Sequence, residues 1–184
     1  MVKKKDTKML ETKTENKKNF IEIGHMGKNQ IAAGAKLFYR DDMTQIEKQN
    51  IKKNFETLYY GNSDFLSAND FSKDLTGRKL IAFASVDIID YAKSTAVLKI
   101  FWDERIYGEP ITIKLIKAFV ECISGNNYSK ILVKVEDNLE HYIYEQAGFS
   151  SFDADSVDYS QIKPEYLIAT ILSFSKNKFM EIKI

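Results

Sequence analysis

The stretch from Ala96 to Phe149 constrains the chain most, because it reads in order as strand, tight turn, helix, strand, helix. Ala96-Val97-Leu98-Lys99-Ile100-Phe101-Trp102 carries the apolar, β-branched and aromatic residues of a largely buried strand. Thr112, Leu115, Ile116, Phe119 and Ile123 then recur at helical spacing between Ile111 and Ile123. A turn at Gly125-Asn126-Asn127 leads to a second buried strand, Lys130 to Val135. Two strands joined through a helix are parallel neighbours linked by a right-handed crossover. Asp137 with Glu140 has the spacing of a capping box, and Gly148 stops the helix that follows. The first strand runs through Arg105 to Pro110 into a helix N-terminus, where unpartnered N–H groups and the macrodipole favour a phosphate.

Two motifs in this stretch resemble a known family. Arg105-x-x-Gly108-x-Pro110 is similar to the pyrophosphate loop of the GNAT superfamily of N-acetyltransferases, whose pattern is Gln/Arg-x-x-Gly-x-Gly/Ala. Tyr144-Glu145-Gln146-Ala147-Gly148-Phe149 resembles the Tyr-Glu-x-x-Gly-Phe segment that closes the same core. The two stand in the expected order, about thirty-five residues apart with a strand between, and the resemblance covers roughly Leu80 to Phe149. It implies an α/β fold with a mixed, mostly antiparallel sheet of six or seven strands, helices on both faces and one parallel pair in the middle.

The chain has 184 residues, enough for one domain with a core and too few for two ordinary ones. Its net charge of +1 gives no global field for nucleic acid or anionic membrane. Within residues 1–18, seven lysines face Asp6, Glu11 and Glu15, a net +4, which leaves −3 on the remainder. Residues 1–19 read as a disordered, lysine-rich arm with too little apolar surface to offset its ordering entropy, and 20–184 as a single domain. Nucleic-acid binding through that arm is the weakest functional reading. One cysteine, Cys122, and no secretory signal read as a cytoplasmic setting. The composition, rich in Lys, Ile, Asn, Phe and Tyr and poor in Pro, is that of an A+T-rich bacterial genome. No apolar run is long enough to span a membrane.

Outside the central stretch, Phe20 to Ile23 reads as a short strand, followed by a flexible connection through Gly24, Gly27 and Gly34. Asp42 and Gln45 are placed as a capping box that starts an amphipathic helix carrying Met43, Ile46, Ile51, Phe55 and Leu58 and stopping at Gly61. Asn62 to Gly77 reads as loop or short helix. Leu80 to Ile89 alternates as a strand and pairs through Asp90 to Ser94 with the Ala96 strand as an antiparallel hairpin. At the C-terminus, Tyr166 to Leu172 reads as a strong strand and Phe179 to Ile184 as an edge strand.

The resemblance implies acetyl-CoA as cosubstrate and a primary amine of a small molecule or protein as acceptor; a homodimer is compatible with it. Backbone N–H groups from Ile106 through Tyr107, Gly108 and Glu109 to Ile111 are expected to face the diphosphate beside Arg105. Pro110 stands where the pattern has Gly or Ala; it lacks an N–H but suits the first helical position. Ile100 lies where the strand's backbone meets the pantetheine arm and the developing oxyanion. Tyr144 occupies the place of the general acid, which an ordinary tyrosine with a pKa of about 10 can fill. Asp137 fills the usual place of an asparagine before it. The general base is open among Asp103, Glu104, Asp87 and a water, with Asp87 preferred because a carboxylate within an apolar strand needs a reason. No Cys/His cluster has metal-ligand spacing. The alternative, motivated by Pro110, Glu109 and Asp137, is a drifted fold that binds coenzyme A as a sensor or serves as a protein interaction module.

Overall fold

Short runs of β-branched and aromatic residues, each closed by a polar or glycine-bearing segment, give this chain its strands, and 3.6-residue periodicity gives its helices. The structure, a computed structural model, describes residues 8–14, 17–61, 64–70, 79–88, 95–103, 106, 108, 110–126, 128–156, 160, 174 and 176–184. Among these the strands are β1 (Lys8–Thr14), β2 (Lys17–His25), β3 (Asp64–Asp70), β4 (Lys79–Ile88), β5 (Thr95–Trp102), β6 (Lys130–Val135), β7 (Ser150–Ser151) and β8 (Lys178–Lys183). The helices are α1 (Ile31–Lys36), α2 (Gln45–Gly61), α3 (Pro110–Ser124) and α4 (Asn138–Ala147). The strands form one mixed sheet in the order β1-β2-β3-β4-β5-β6-β8-β7. β1–β2, β2–β3, β6–β8 and β7–β8 are antiparallel, and β5–β6 is parallel. The α/β class with a mixed sheet and a parallel pair in the middle is therefore as the sequence implies. The chain forms two compact units, residues 1–85 with 100–107 and residues 86–99 with 108–184.

In the first unit the core gathers around Phe83, which is fully buried. Its ring stacks on Phe101 at 4.6 Å and meets Phe55 edge-on at 4.9 Å. Aromatic pairs of this geometry each add about 0.5–1.5 kcal/mol beyond the area they bury. Phe55 comes from α2, with Ile51 and Leu58 partly buried beside it, whereas Ile46 is 70% exposed. The start of α2 differs from the expected Asp42–Gln45 box: the Thr44 N–H donates to Glu47 Oε2 at 2.7 Å and the Glu47 N–H to Thr44 Oγ1 at 3.3 Å. A threonine followed three residues later by glutamate is the reciprocal pair a capping box needs. Hydrogen bonding to Thr44 holds the Glu47 carboxyl below its ordinary pKa.

Three further segments depart from expectation. β1 and β2 pair from Lys8↔Ile23 to Thr14↔Lys17, so a hairpin occupies much of the stretch read as a disordered arm. The apolar positions Ile21 and Ile23, both buried, give β2 a face to dock. Gly34 belongs to helix α1 and is buried there, in place of a flexible connection. The stretch read as loop or short helix contains β3, whose residues Phe65 to Asn69 are all buried. Its polar members are satisfied: Asn69 Nδ2 donates to Ser67 Oγ at 3.1 Å, and Gln30 Nε2 donates to Asn69 Oδ1 at 2.8 Å. Without such partners their burial would oppose the strand.

The second unit is built on the parallel pair. α3 starts at Pro110 and buries all five residues expected of it, Thr112, Leu115, Ile116, Phe119 and Ile123. The β5–β6 register comprises Thr95↔Lys130, Ala96↔Ile131 and Val97↔Leu132, although β5 continues to Trp102 and β6 to Val135. β8, expected at the edge, lies between β6 and the two-residue β7 and buries Met180 and Glu181. The strand expected over Tyr166 to Leu172 lies outside the described residues. Val97, Leu132 and Phe174 form a second apolar cluster with Phe152 and Phe179.

The ends of α4 are set by local chemistry. Asp137 is the N-cap, its Oδ1 accepting from the Glu140 N–H at 2.8 Å. The Glu140 carboxylate reaches one residue further back than a capping box requires and accepts from the Glu136 N–H at 2.6 Å. Gly148 adopts φ +102° past the last turn. Its N–H donates to the Glu145 carbonyl and the Phe149 N–H to that of Tyr144 at 3.0 Å, the two bonds of a Schellman motif.

Two predictions follow from these contacts. A Cβ at Gly34 would stand 2.5 Å from Phe55 Cζ and 2.7 Å from Met26 Cε. Overpacking costs about 1–3 kcal/mol and a helical Gly→Ala returns about 1, so Gly34→Ala is expected to lose roughly 1 kcal/mol in urea unfolding. A more stable variant would show that Phe55 and Met26 have room to retreat. Burial raises the Glu140 carboxyl above 4.5, with the Glu136 N–H opposing. A carboxyl that binds its proton more tightly when folded stabilises the fold at low pH, and that contribution is lost as pH rises through the raised value. Glu140→Gln, which keeps an acceptor, is expected to compare better with the parent at about pH 7 than at about pH 4. Equal differences at the two pH values would take Glu140 out of the pH dependence.

Candidate active site

The strand, turn and helix singled out by sequence are present, and most of their residues are placed. Asp103 follows β5: its N–H donates to the Ile81 carbonyl at 2.7 Å, and its carbonyl accepts from the Ile106 N–H at 2.9 Å. The Ile106 N–H expected to face a diphosphate is thus engaged inside the turn. Gly108 follows with φ +84°, a left-handed value that costs an L-residue about 1–2 kcal/mol. A Cβ built on Gly108 meets nothing within 4 Å, so this backbone is open to close approach. Pro110 is the first residue of α3, where its missing N–H leaves no helical bond unmade, and Ile111 is half-buried behind it. Arg105, Tyr107 and Glu109 lie outside the described residues. Ile100 is half-buried on β5, three residues beyond Val97, the last β5 residue in the parallel register.

Tyr144 is on α4, buried at 6% exposure, its ring edge-on to Phe149 with centroids 5.5 Å apart. This is the apolar contact that accompanies a Schellman cap, so the Tyr-Glu-x-x-Gly-Phe sequence has a structural reason of its own. α4 packs against α3 within the second unit. Asp137 lies at the opposite end of α4 from Tyr144, engaged as the cap of that helix.

The carboxylate expected to need a reason has one. Asp87 on β4 forms a short ion pair with Lys99 of β5, both side chains partly exposed. Asp103, only 6% exposed, is paired with Lys79 at 3.1 Å. The lysines were the partners sequence reasoning missed. Lys99 interrupts an apolar strand just as Asp87 does, and that shared irregularity is the signal that could have joined them. Ser85, two residues before Asp87 on β4, is fully buried, and its hydroxyl has no hydrogen-bond partner among the described residues. Among the described residues no group of His, Cys, Asp and Glu could hold a metal ion, and no helix is long and apolar enough to cross a membrane.

No protein-family model matches the sequence, and no curated protein matches it. Solved structures do. An acetyltransferase from Streptococcus agalactiae superposes with a TM-score of 0.55 at 19% identity, over 89% of this chain and 98% of that one. A spermidine/spermine N-acetyltransferase from Vibrio cholerae gives 0.56 at 15% identity, over 89% and 92%. A ribosomal-protein-S5-alanine acetyltransferase from Vibrio fischeri gives 0.54 at 10% identity, over 95% and 96%. With the parallel pair joined through α3 and the glycine-bearing turn before it, these matches show that the chain has the fold of the N-acetyltransferases.

Proposed function

We propose that this protein transfers an acetyl or other acyl group from acyl-CoA to a primary amine, by direct attack and without an acyl-enzyme intermediate. The observation that carries the reading is Gly108, left-handed and open to approach, two residues before a helix that begins with proline. An open glycine backbone leading into a helix N-terminus suits the diphosphate of coenzyme A. The N–H groups of a helix's first turn have no intrahelical acceptor and point along the helix axis toward such a group. Pro110 contributes no N–H, and the turn before it uses that of Ile106, so the cradle rests on fewer donors than the six-residue motif implies. Arg105 is proposed beside the phosphates. The thioester supplies the activated carbonyl carbon.

Chemically, the amine nitrogen bonds to the thioester carbon, the C–S bond breaks, the nitrogen sheds a proton and the departing sulfur takes one. The backbone of β5 around Ile100 is proposed to stabilise the developing oxyanion. Tyr144 is proposed as the acid for the sulfur. Asp87 is the proposed base, directly or through a water, and it would act while held by Lys99. The acceptor class stays broad. The named neighbours span a polyamine and a protein alanine, and this chain shares too little sequence with either to choose.

Calorimetry with acetyl-CoA tests the cofactor, with Gly108→Glu as control. Micromolar binding abolished by the substitution is expected; no binding at millimolar ligand would overturn the reading and favour a drifted module that works through protein partners. Tyr144→Phe then tests the acid. Phenylalanine keeps the ring contact with Phe149, so folding should be retained. Turnover is expected to fall about 10²–10⁴-fold with acetyl-CoA affinity nearly unchanged. Unchanged turnover would remove Tyr144 from the chemistry.

A further inference from the structure

A side-chain hydroxyl taken out of water without a partner opposes folding, so buried polar groups are nearly always hydrogen-bonded. Ser85 is an exception. Of the two buried side-chain oxygens without a hydrogen bond among the described residues, Glu181 Oε2 lies 2.8 Å from Lys130 Nζ, which leaves Ser85 Oγ unexplained. Ser85 is fully buried on β4, where alanine would fill nearly the same space without stranding a hydroxyl.

Strand alternation puts Ser85 on the face of Phe83, two residues earlier. Phe83 stacks on Phe101 of β5 at 4.6 Å. Phe38, on the connection between α1 and α2, sets its ring edge-on to both, 5.9 Å from Phe83 and 5.4 Å from Phe101, and is still 36% exposed. The end of β5 is open in the same way. Ile100, Phe101 and Trp102 are three large apolar residues in a row, and each is only half-buried. Successive strand residues point to opposite faces, so both faces of β5 stay partly open where the thioester carbonyl is proposed to react. Phe38, Phe83, Ser85 and Ile100 to Trp102 all lie within the first unit. Aromatic walls with a single unsatisfied hydrogen-bonding group are the composition of a small-molecule site.

We infer that this face receives the acceptor, and that the acceptor is an aromatic primary amine carrying a hydroxyl. Its ring packs against Phe38 and Phe101, and its hydroxyl makes the hydrogen bond that Ser85 lacks. Phe38, the exposed ring of the group, gives way as the acceptor enters. The inference rests on the acyltransfer reading and adds the substrate class to it.

The test measures acetyl transfer from acetyl-CoA by the full chain to tyramine, to phenethylamine, which lacks only the hydroxyl, and to spermidine. Ser85→Ala is compared with the parent in the same assay, in a thermal melt and in acetyl-CoA calorimetry. Tyramine is expected to be preferred to spermidine, and to exceed phenethylamine about tenfold in kcat/KM, the worth of one hydrogen bond. Ser85→Ala should erase the difference between the two aromatic amines while melting no lower than the parent and binding acetyl-CoA unchanged. A lower melting temperature would show that the hydroxyl has a structural task, and overturns the inference. So does a preference for spermidine, no turnover of either aromatic amine, or a Ser85→Ala variant that keeps the tyramine preference. With acetyl-CoA still bound, each of these leaves the acyltransfer reading intact. A parent chain that does not bind acetyl-CoA overturns both.

Discussion

A parallel pair of strands cannot be closed by a hairpin, and from that constraint much of this structure follows. β5 and β6 are joined through α3, so the chain must leave β5, turn and enter a helix within a few residues. The turn is made where Gly108 accepts a left-handed φ, and the helix begins where Pro110 has its φ already set. The same crossover leaves a helix N-terminus beside an open glycine backbone. Local rules of chain geometry thereby set the turn and helix start on which the proposed diphosphate site rests.

The second motif meets a structural demand. Tyr144 and Phe149 occupy the two positions whose contact closes a Schellman cap, and Gly148 supplies the left-handed residue between them. Any sequence ending a helix this way tends toward a large apolar residue, a glycine and another large residue. What the cap does not require is a hydroxyl, so Phe in place of Tyr144 keeps the cap's ring contact while removing the group proposed as the acid.

Sequence reasoning reached those elements whose cause is local. Pro110 at the first turn of α3, Asp137 at the cap of α4, Gly148 after it, and the five apolar positions of α3 were all legible, since each rests on a rule spanning a few residues. It failed where the cause lies far along the chain. β3 has aspartate at both ends and serine and asparagine within, and only the reach of Gln30 to Asn69 makes its burial tolerable. The β1 strand pairs with its neighbour through backbone bonds that leave no mark on a lysine-rich composition. Phe179 to Ile184 reads as an edge strand, yet β7 pairs with β8 through two residues that no periodicity could reveal. The cap of α2 failed for a smaller reason: Asp42 and Thr44 are both good caps, and only the reciprocal bond from Glu47 chooses between them.

The charged residues inside strands share one explanation. Asp87 with Lys99, Asp103 with Lys79, and Glu181 with Lys130 at 2.8 Å are each a carboxylate and a lysine from neighbouring strands or their ends. On β4 and β5 the contacts Ile81 to Asp103, Phe83 to Phe101 and Asp87 to Lys99 run in opposite numerical order, which makes that hairpin antiparallel as the sequence implied. A slip of one residue would turn each charge to the other face and separate it from its partner. Such pairs contribute little net stability and much specificity of register, so a carboxylate in these strands is first a pin and only then a candidate for catalysis. That ordering bears on the chemistry. Asp103 and Glu181 are too buried and too engaged to meet an amine, whereas Asp87 keeps about a third of its side chain exposed beside Lys99. If an acceptor amine gives up its proton to a strand carboxylate here, the partly exposed pin is the one it can reach, and the lysine that sets the register also holds the base.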